Sequence, residues 1–389
     1  MFRELPSLKG IGLRDKISVD SREFQVHTGN DPLKNIVKSE VFEKGKFLFS
    51  AEDPYSVREN KETEIDEEYL KDITFEQHQN TLDEIKILFL VNEKIKQIRQ
   101  HLPHFRLGKV FLNRNFIDEA INNLKRVVEL KPDFVRGHIK LGLAYFKQTK
   151  YMDAIKAFLQ AHKIEPEYPD ILNNLGVTYA KTNNFAAASK FLKKALEIKP
   201  NFKEANFNLG IVLFLSSIAD DEDESKVIIP ARFIRSFKEI LKMSSFQSKY
   251  WHERFILTQQ ALEEGKKKNV VAALEKIQSE IMFQEDSSDI MDYFFLQFMF
   301  GGSELKHTKL DFFEELITAE VERNNTYADY WNELGIIHLV QCREYFTKAI
   351  AEFEKSTKID PDFETAQKNT ELLRHNKQGF LILLRAILK

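Results

Sequence analysis

Pro132, Pro166 and Pro200 stand 34 residues apart, twice over, and that interval carries much more than proline. Leu107-Gly108, Leu141-Gly142, Leu175-Gly176 and Leu209-Gly210 recur in the same register, as do Phe111, Tyr145 and Tyr179. So do Ala120, Ala154 and Ala188; Leu124, Phe158 and Leu192; and Val127, Ala161 and Ala195. The physics of such a unit is two short antiparallel helices. Gly in the first and Ala in the second are small because the helices cross there, and large apolar residues fill the space on either side. Proline closes each unit, because it cannot continue a helix and biases the residue before it away from helical angles. One unit cannot bury its own face, so units must stack.

This pattern resembles the tetratricopeptide repeat (TPR), in period and in its order of Leu-Gly, aromatic, Ala, large apolar, Ala and Pro. The resemblance implies an all-α fold: a right-handed superhelical solenoid of antiparallel helix pairs. A further unit is expected near the C-terminus, where Trp331, Leu334 and Gly335 match a first helix. Ala349, Phe353, Ser356 and Pro361 match the second if two residues are inserted in a turn around Cys342 to Tyr345. A degenerate unit is expected around Gly265 to Ile277, with Gln260-Ala261 where Leu-Gly would stand. The fourth unit starts at Asn206 to Gly210 and then meets the acidic run Asp220-Asp221-Glu222-Asp223-Glu224, read as a solvated insertion. A calcium loop would need alternating ligands and a glycine, which the run lacks.

The chain then reads as four segments. Residues 1–73 are an N-terminal arm or small β element ending in a charged linker, 58–68. Val41-Phe42 and Phe47-Leu48-Phe49 flank Glu43-Lys44-Gly45-Lys46 as a β-hairpin would, and Thr28-Gly29-Asn30-Asp31-Pro32 is a turn signal. Residues 74–216 are a leading helix and the repeats. Thr81-Leu82-Asp83-Glu84 has the form of a capping box opening that helix. Residues 217–327 hold degenerate repeats and the apolar helix 290–300, which is either buried in the chain or sits at an interface. Residues 328–389 are the C-terminal repeat and an apolar closing stretch, Phe380 to Leu388, which either packs on the last unit or docks elsewhere.

Composition bounds the function. Hydrophobic residues make up 43% and charged residues 30%, with a formal net charge of -3, which supplies no large positive field for nucleic acid. The single cysteine, Cys342, allows no intrachain disulfide and fits a cytoplasmic protein. No signal peptide is read after Met1, and no apolar run reaches membrane-spanning length, so no transmembrane segment is expected. Phosphate loops, the HExxH zinc motif and the GxSxG nucleophile elbow are missing. His101 and His104 are three apart without further ligands nearby, and Cys342 has no catalytic context. The reading is therefore no enzyme, no cofactor and no metal.

In the TPR family the first helices line a groove, and the register carries its positions over. They give Phe105 and Lys109 in the first unit, and Arg136, Ile139, Leu143, Phe146 and Lys147 in the second. Asn173, Val177 and Lys181 follow in the third, and Phe207, Ile211 and Phe214 in the fourth. The chaperone-binding members hold a C-terminal carboxylate with a specific Lys/Asn/Arg set. Here Phe105, Lys109, Ile139 and Leu143 stand at its leading positions, so that clamp is absent. A mostly apolar groove suits an apolar helix or peptide. The occupant is either a partner protein or a segment of this chain. The resemblance implies a scaffold or adaptor binding a protein partner. Two other readings stand beside it: a structural subunit of a membrane-associated bacterial envelope or motility assembly, such as a spirochaete flagellar collar, and a regulatory or catalytic subunit with its activity in residues 1–73.

Overall fold

A computed structural model describes residues 12–31, 35–55, 67–219, 227–243, 249–283, 288–301, 313–314, 317–318, 321, 328–362, 364–372 and 379. The chain divides into two compact units, Met1–Asp289 and Ile290–Lys389. The acidic run 220–224, the charged stretch 58–66 and the apolar stretch 380–388 lie outside the described residues.

The first unit opens with four antiparallel strands in the order β1-β2-β3-β4: β1 Leu13–Val19, β2 Arg22–Asp31, β3 Ile36–Glu43 and β4 Lys46–Pro54. The expected hairpin is β3–β4, and Lys44 and Gly45 take φ of 50° and 78° at its turn. Such a two-residue turn matches the strand twist and needs φ above zero at both central positions. The turn expected at Thr28 to Pro32 is displaced. Thr28 to Asp31 are paired in β2, opposite Ser39 to Ile36. Burial alternates along β2, with Phe24, Val26 and Thr28 buried on one face. That face packs on helix α1, Glu67–Ile95, which begins inside the segment read as linker. Thr81 does not cap α1. It sits within the helix, and its hydroxyl donates to the Gln77 carbonyl one turn back (2.9 Å).

Seven helices then follow the register: α2 His101–Asn113, α3 Ile117–Leu130, α4 Val135–Lys147, α5 Tyr151–Ile164, α6 Pro169–Lys181, α7 Phe185–Ile198 and α8 Lys203–Ile218. The turns inside successive pairs place Asn115, Thr149 and Asn183 at φ of 65°, 60° and 57°. The helix crossings are tight. A Cβ added at Gly108 would lie 2.8 Å from Leu124, at Gly142 2.5 Å from Phe158, and at Gly176 2.4 Å from Leu192. Ala120, Ala154 and Ala188 are fully buried on the facing helices.

The fourth pair is completed across the acidic insertion. Helix α9, Ala231–Leu241, packs on α8, and Phe233 approaches Gly210 as Leu192 approaches Gly176. Helices α10, Lys249–Glu264, and α11, Lys267–Met282, form the degenerate unit about Gly265, whose φ of 68° reverses the chain.

The second unit contains α12, Ser288–Phe300, and α13, Ala328–Ile359. Phe294, Phe313, Ile317, Val321, Ile337 and Val340 share its core. The turn expected around Cys342 to Tyr345 is absent, and α13 runs through it as one helix of 32 residues. The sequence there holds no Gly, Asn or Pro to take the turn. Gly335 accordingly meets no crossing helix: no described atom lies within 4 Å of a Cβ built on it. The Leu-Gly pair is present, but among the described residues the helix pair it signals elsewhere is not.

Candidate functional site

The first helices α2, α4, α6 and α8 present the register-derived face, and the structure covers part of it with the chain's own α11. Two lysines at equivalent positions hold that segment. Lys181 of α6 donates to the Glu275 carbonyl (3.4 Å) and pairs with its carboxylate (3.5 Å). Burial pulls the Lys181 pKa down, and Glu275 opposes the shift. Lys147 of α4, one repeat earlier, donates to the Leu112 carbonyl (3.0 Å) and lies 5.3 Å from the ring of Phe283, just past α11. That ring also meets Phe146 at 5.8 Å between centroids.

Between the lysines runs a buried amide ladder. Gln278 of α11 donates to Asn208 (3.3 Å), and Asn208 donates to Asn173 (2.8 Å). Phe207, Ile211 and Phe214 of α8 form one apolar cluster with Phe233, Phe237, Trp251, Phe255, Leu274, Ile277 and Ile281. Val177 and Leu143 are buried too. So from Phe146 to Phe214 the face is largely filled from within the chain.

The structure gathers the remaining groove residues around Phe105. Lys109 and Arg136 each lie 5.8 Å from that ring, and Phe134 stacks edge-on at 5.0 Å. Phe105 and Lys109 are buried, Ile139 is half-buried and Arg136 is exposed. The predicted positions thus fall into two groups, one covered by α11 and one beyond its end. The sequence reading named the groove side of these contacts and missed the other: Glu275, Gln278 and Phe283. The degenerate repeat around Gly265 to Ile277 was visible, but no signal in it marked a helix turned toward the repeats.

At the other end, the sheet is clamped to the first repeat. Arg22 donates in a fork to Glu43 (2.7 Å to each oxygen) and also to Glu119 of α3. Its guanidinium lies 5.1–5.7 Å from the rings of Phe24, Phe89 and Phe116. The hydrogen bond from Arg22 holds the Glu43 carboxyl below its ordinary range, while burial pushes Glu119 up despite the same arginine. The fork is spent on Glu43, so Glu119 gains less from it than its desolvation costs.

A polar chain joins sheet and helix: Ser39 and Thr28 hydroxyls at 2.7 Å, Thr28 to His78 Nδ1 at 2.7 Å, and His78 Nε2 to Asp15 at 3.1 Å. Its residue types resemble a nucleophile relay, yet Ser39, Thr28 and His78 are 0%, 3% and 1% exposed. No substrate reaches those hydroxyls in this packing, so the chain reads as a satisfied buried network. His104 is spent similarly, between Asn123 and the Ile98 carbonyl (3.1 Å each), while His101 packs on Phe134. Among the described residues no cluster of three metal-ligating side chains forms, and no helix is long and apolar enough to cross a membrane.

Comparison with known proteins agrees with the register. The family description "TPR repeat" matches residues 108–149 and 145–183, and "Tetratricopeptide repeat" matches 169–202. No curated protein matches the chain. Among solved structures, MamA is 22% identical with a TM-score of 0.34, over 42% of this chain and 90% of that one. YrrB, titled a TPR protein with an unusual peptide-binding site, is 17% identical with a TM-score of 0.31, over 51% and 95%. PilF of Pseudomonas aeruginosa is 16% identical with a TM-score of 0.33, over 60% and 96%.

Proposed function

The chain belongs to the tetratricopeptide-repeat family, and from that premise we propose that it is a scaffold or adaptor that joins proteins through the face of its first helices. One observation carries the proposal. That face already holds a segment of the chain itself, with Lys181 on Glu275 of α11 and the register-equivalent Lys147 of the preceding repeat over Phe283 just past it. Stacked units that place the same side chain at the same height are suited to reading a helix along its length. The groove is therefore divided. Phe146, Lys147, Asn173, Lys181 and Phe207 serve the chain itself, and Phe105, Lys109, Arg136 and Ile139 are the positions proposed for a partner.

Phe146→Glu tests the division. Filled in cis, the site should lose about 3 kcal/mol of stability or more in the isolated chain, as for deletion of a buried aromatic. A thermal melt equal to wild type would mean that Phe283 and α11 do not occupy it. The scaffold reading itself is tested by cross-linking the full chain in the cells that express it. If the wild type retains no protein above the background of an unrelated bait, the reading fails.

A further inference from the structure

We infer that helix α13 joins two copies of this chain as an antiparallel coiled coil. The contact lies in the second unit and is independent of the groove.

Helix α13 buries Ile337, Val340 and Ile350 in its own unit. Its opposite side carries a stripe with the heptad spacing of a coiled-coil seam, from Trp331 to Ile359. Trp331, Tyr345 and Ile359 are the large apolar residues of the stripe, 54%, 57% and 76% exposed. Gly335, Cys342, Ala349 and Ser356 are its small ones, seven residues apart. Gly335 and Cys342 are exposed, and Ala349 and Ser356 are half-buried. His338 and Glu352, both exposed, complete the stripe. Apolar groups exposed in one line along a helix mark an interaction surface.

The alternation of sizes selects the occupant. In an antiparallel pair, the large positions of one helix meet the small positions of the other. With a twofold axis between positions 343 and 344, Tyr345 lies over Cys342 of the second copy and Trp331 over Ser356. His338 then lies over Ala349, and the stem of Glu352 over Gly335, which meets no described atom within 4 Å in its own chain. Every layer holds one large and one small side chain, as close packing requires. Glu352 also comes about 4.5 Å along the axis from His338 of the other copy, so a carboxylate and an imidazole are neighbours across the seam. A parallel pair would set small on small and large on large, with Glu352 against Glu352. Voids and like charges both oppose it.

The area is adequate. From Trp331 to Ile359 the seam is about 42 Å long, and a helix is about 12 Å wide. Pairing removes roughly 1,000 Å² from water in all, which is where specific interfaces begin. Leu339, Phe346 and Phe353, half-buried along one flank, widen the apolar strip.

Sedimentation equilibrium of the full chain reads the stoichiometry and should give a dimer at micromolar concentration. Tyr345→Glu brings two carboxylates together beside the axis. It should weaken dimerisation about tenfold or more, with the helical circular-dichroism signal intact. Ile228→Glu, at a residue 91% exposed outside α13, should leave the dimer unchanged. Cross-linking with a short bismaleimide reads the direction of pairing. The two copies of Cys342, the only cysteine, lie about 5 Å apart along the axis and should be linked. In a Cys342→Ser background, Gly335→Cys alone should not be linked, because its two copies stand about 25 Å apart. Mixed and exchanged with Glu352→Cys in the same background, it should be linked. A monomeric wild type overturns the inference. So does a dimer that Tyr345→Glu leaves intact, or one in which Gly335→Cys links to itself. Should Tyr345→Glu lose its helical signal, the cross-links decide alone.

Discussion

Gly142 and Gly335 occupy the same place in the same sequence pattern, each after a leucine, and the structure treats them oppositely. A Cβ on Gly142 would strike Phe158 at 2.5 Å, whereas one on Gly335 would meet no described atom within 4 Å. The first lies in a pair of helices, α4 and α5, closed by a three-residue turn with Thr149 at φ 60°. The second lies in α13, one continuous helix. The difference teaches that the Leu-Gly signal reports a helix with a face to bury, and that the turn chemistry decides whether the chain folds back onto it. A helix continues unless some residue can leave it cheaply, and Asn is among the few non-glycine residues that take positive φ readily.

The largest expected effect breaks the comparison at the turn. Cys342→Pro should cost the second unit about 3 kcal/mol or more, because proline within a helix removes a hydrogen bond and clashes with the preceding turn. At a true turn it would cost little. Hydrogen exchange along 328–359 reads the outcome, and protection retained on both sides would restore the helix pair expected there.

Next comes the crossing itself. Gly142→Leu should destabilise by about 2–3 kcal/mol through overpacking against Phe158. Gly335→Ala, its counterpart, should instead be neutral or stabilise by up to about 1 kcal/mol, the helix-propensity gain. Melting temperatures of the two variants should therefore move apart. Equal losses would mean that a helix does cross at Gly335.

A pH titration sharpens the role of the sheet as a neighbour of the first repeat. Glu43 has a lowered pKa because Arg22 donates to it. A depressed carboxylate adds stability above its unfolded pKa and loses it as pH falls through the lower, folded value. Stability should thus decline on acidification from the ordinary glutamate range downward, and Arg22→Met should flatten that decline. Glu119, raised by burial, works in the opposite direction, so Glu119→Gln should steepen it. An unchanged profile in Arg22→Met would remove the clamp from the account.

The smallest effect concerns strain within the regular turns. Thr149 holds φ 60° where the equivalent residues are Asn115 and Asn183. A β-branched residue is costly there, so Thr149→Asn should raise stability by about 0.5–1 kcal/mol. No rise would mean that the Thr149 hydroxyl, which donates to the Gln148 carbonyl (2.6 Å), compensates the strain.

The sequence by itself determined the repeats from α2 to α8, because a 34-residue period fixes small residues at crossings, large ones beside them and Asn or Thr at turns, all by local chemistry. It determined the β3–β4 hairpin for the same reason, through Lys44-Gly45 between alternating apolar residues. It did not determine β1 and β2, since polar strands paired on one face resemble loop. Nor did it place Thr81, whose capping-box neighbours are equally at home inside a helix. What occupies the groove was decided by the tertiary structure. Lys181 meeting Glu275, Asn208 meeting Gln278 and Phe146 meeting Phe283 join residues 70 to 137 apart in sequence. No local rule makes an amphipathic helix prefer one apolar face over another. That choice belongs to the packing of whole elements, where burial, amide pairing and one half-exposed ion pair must be satisfied together.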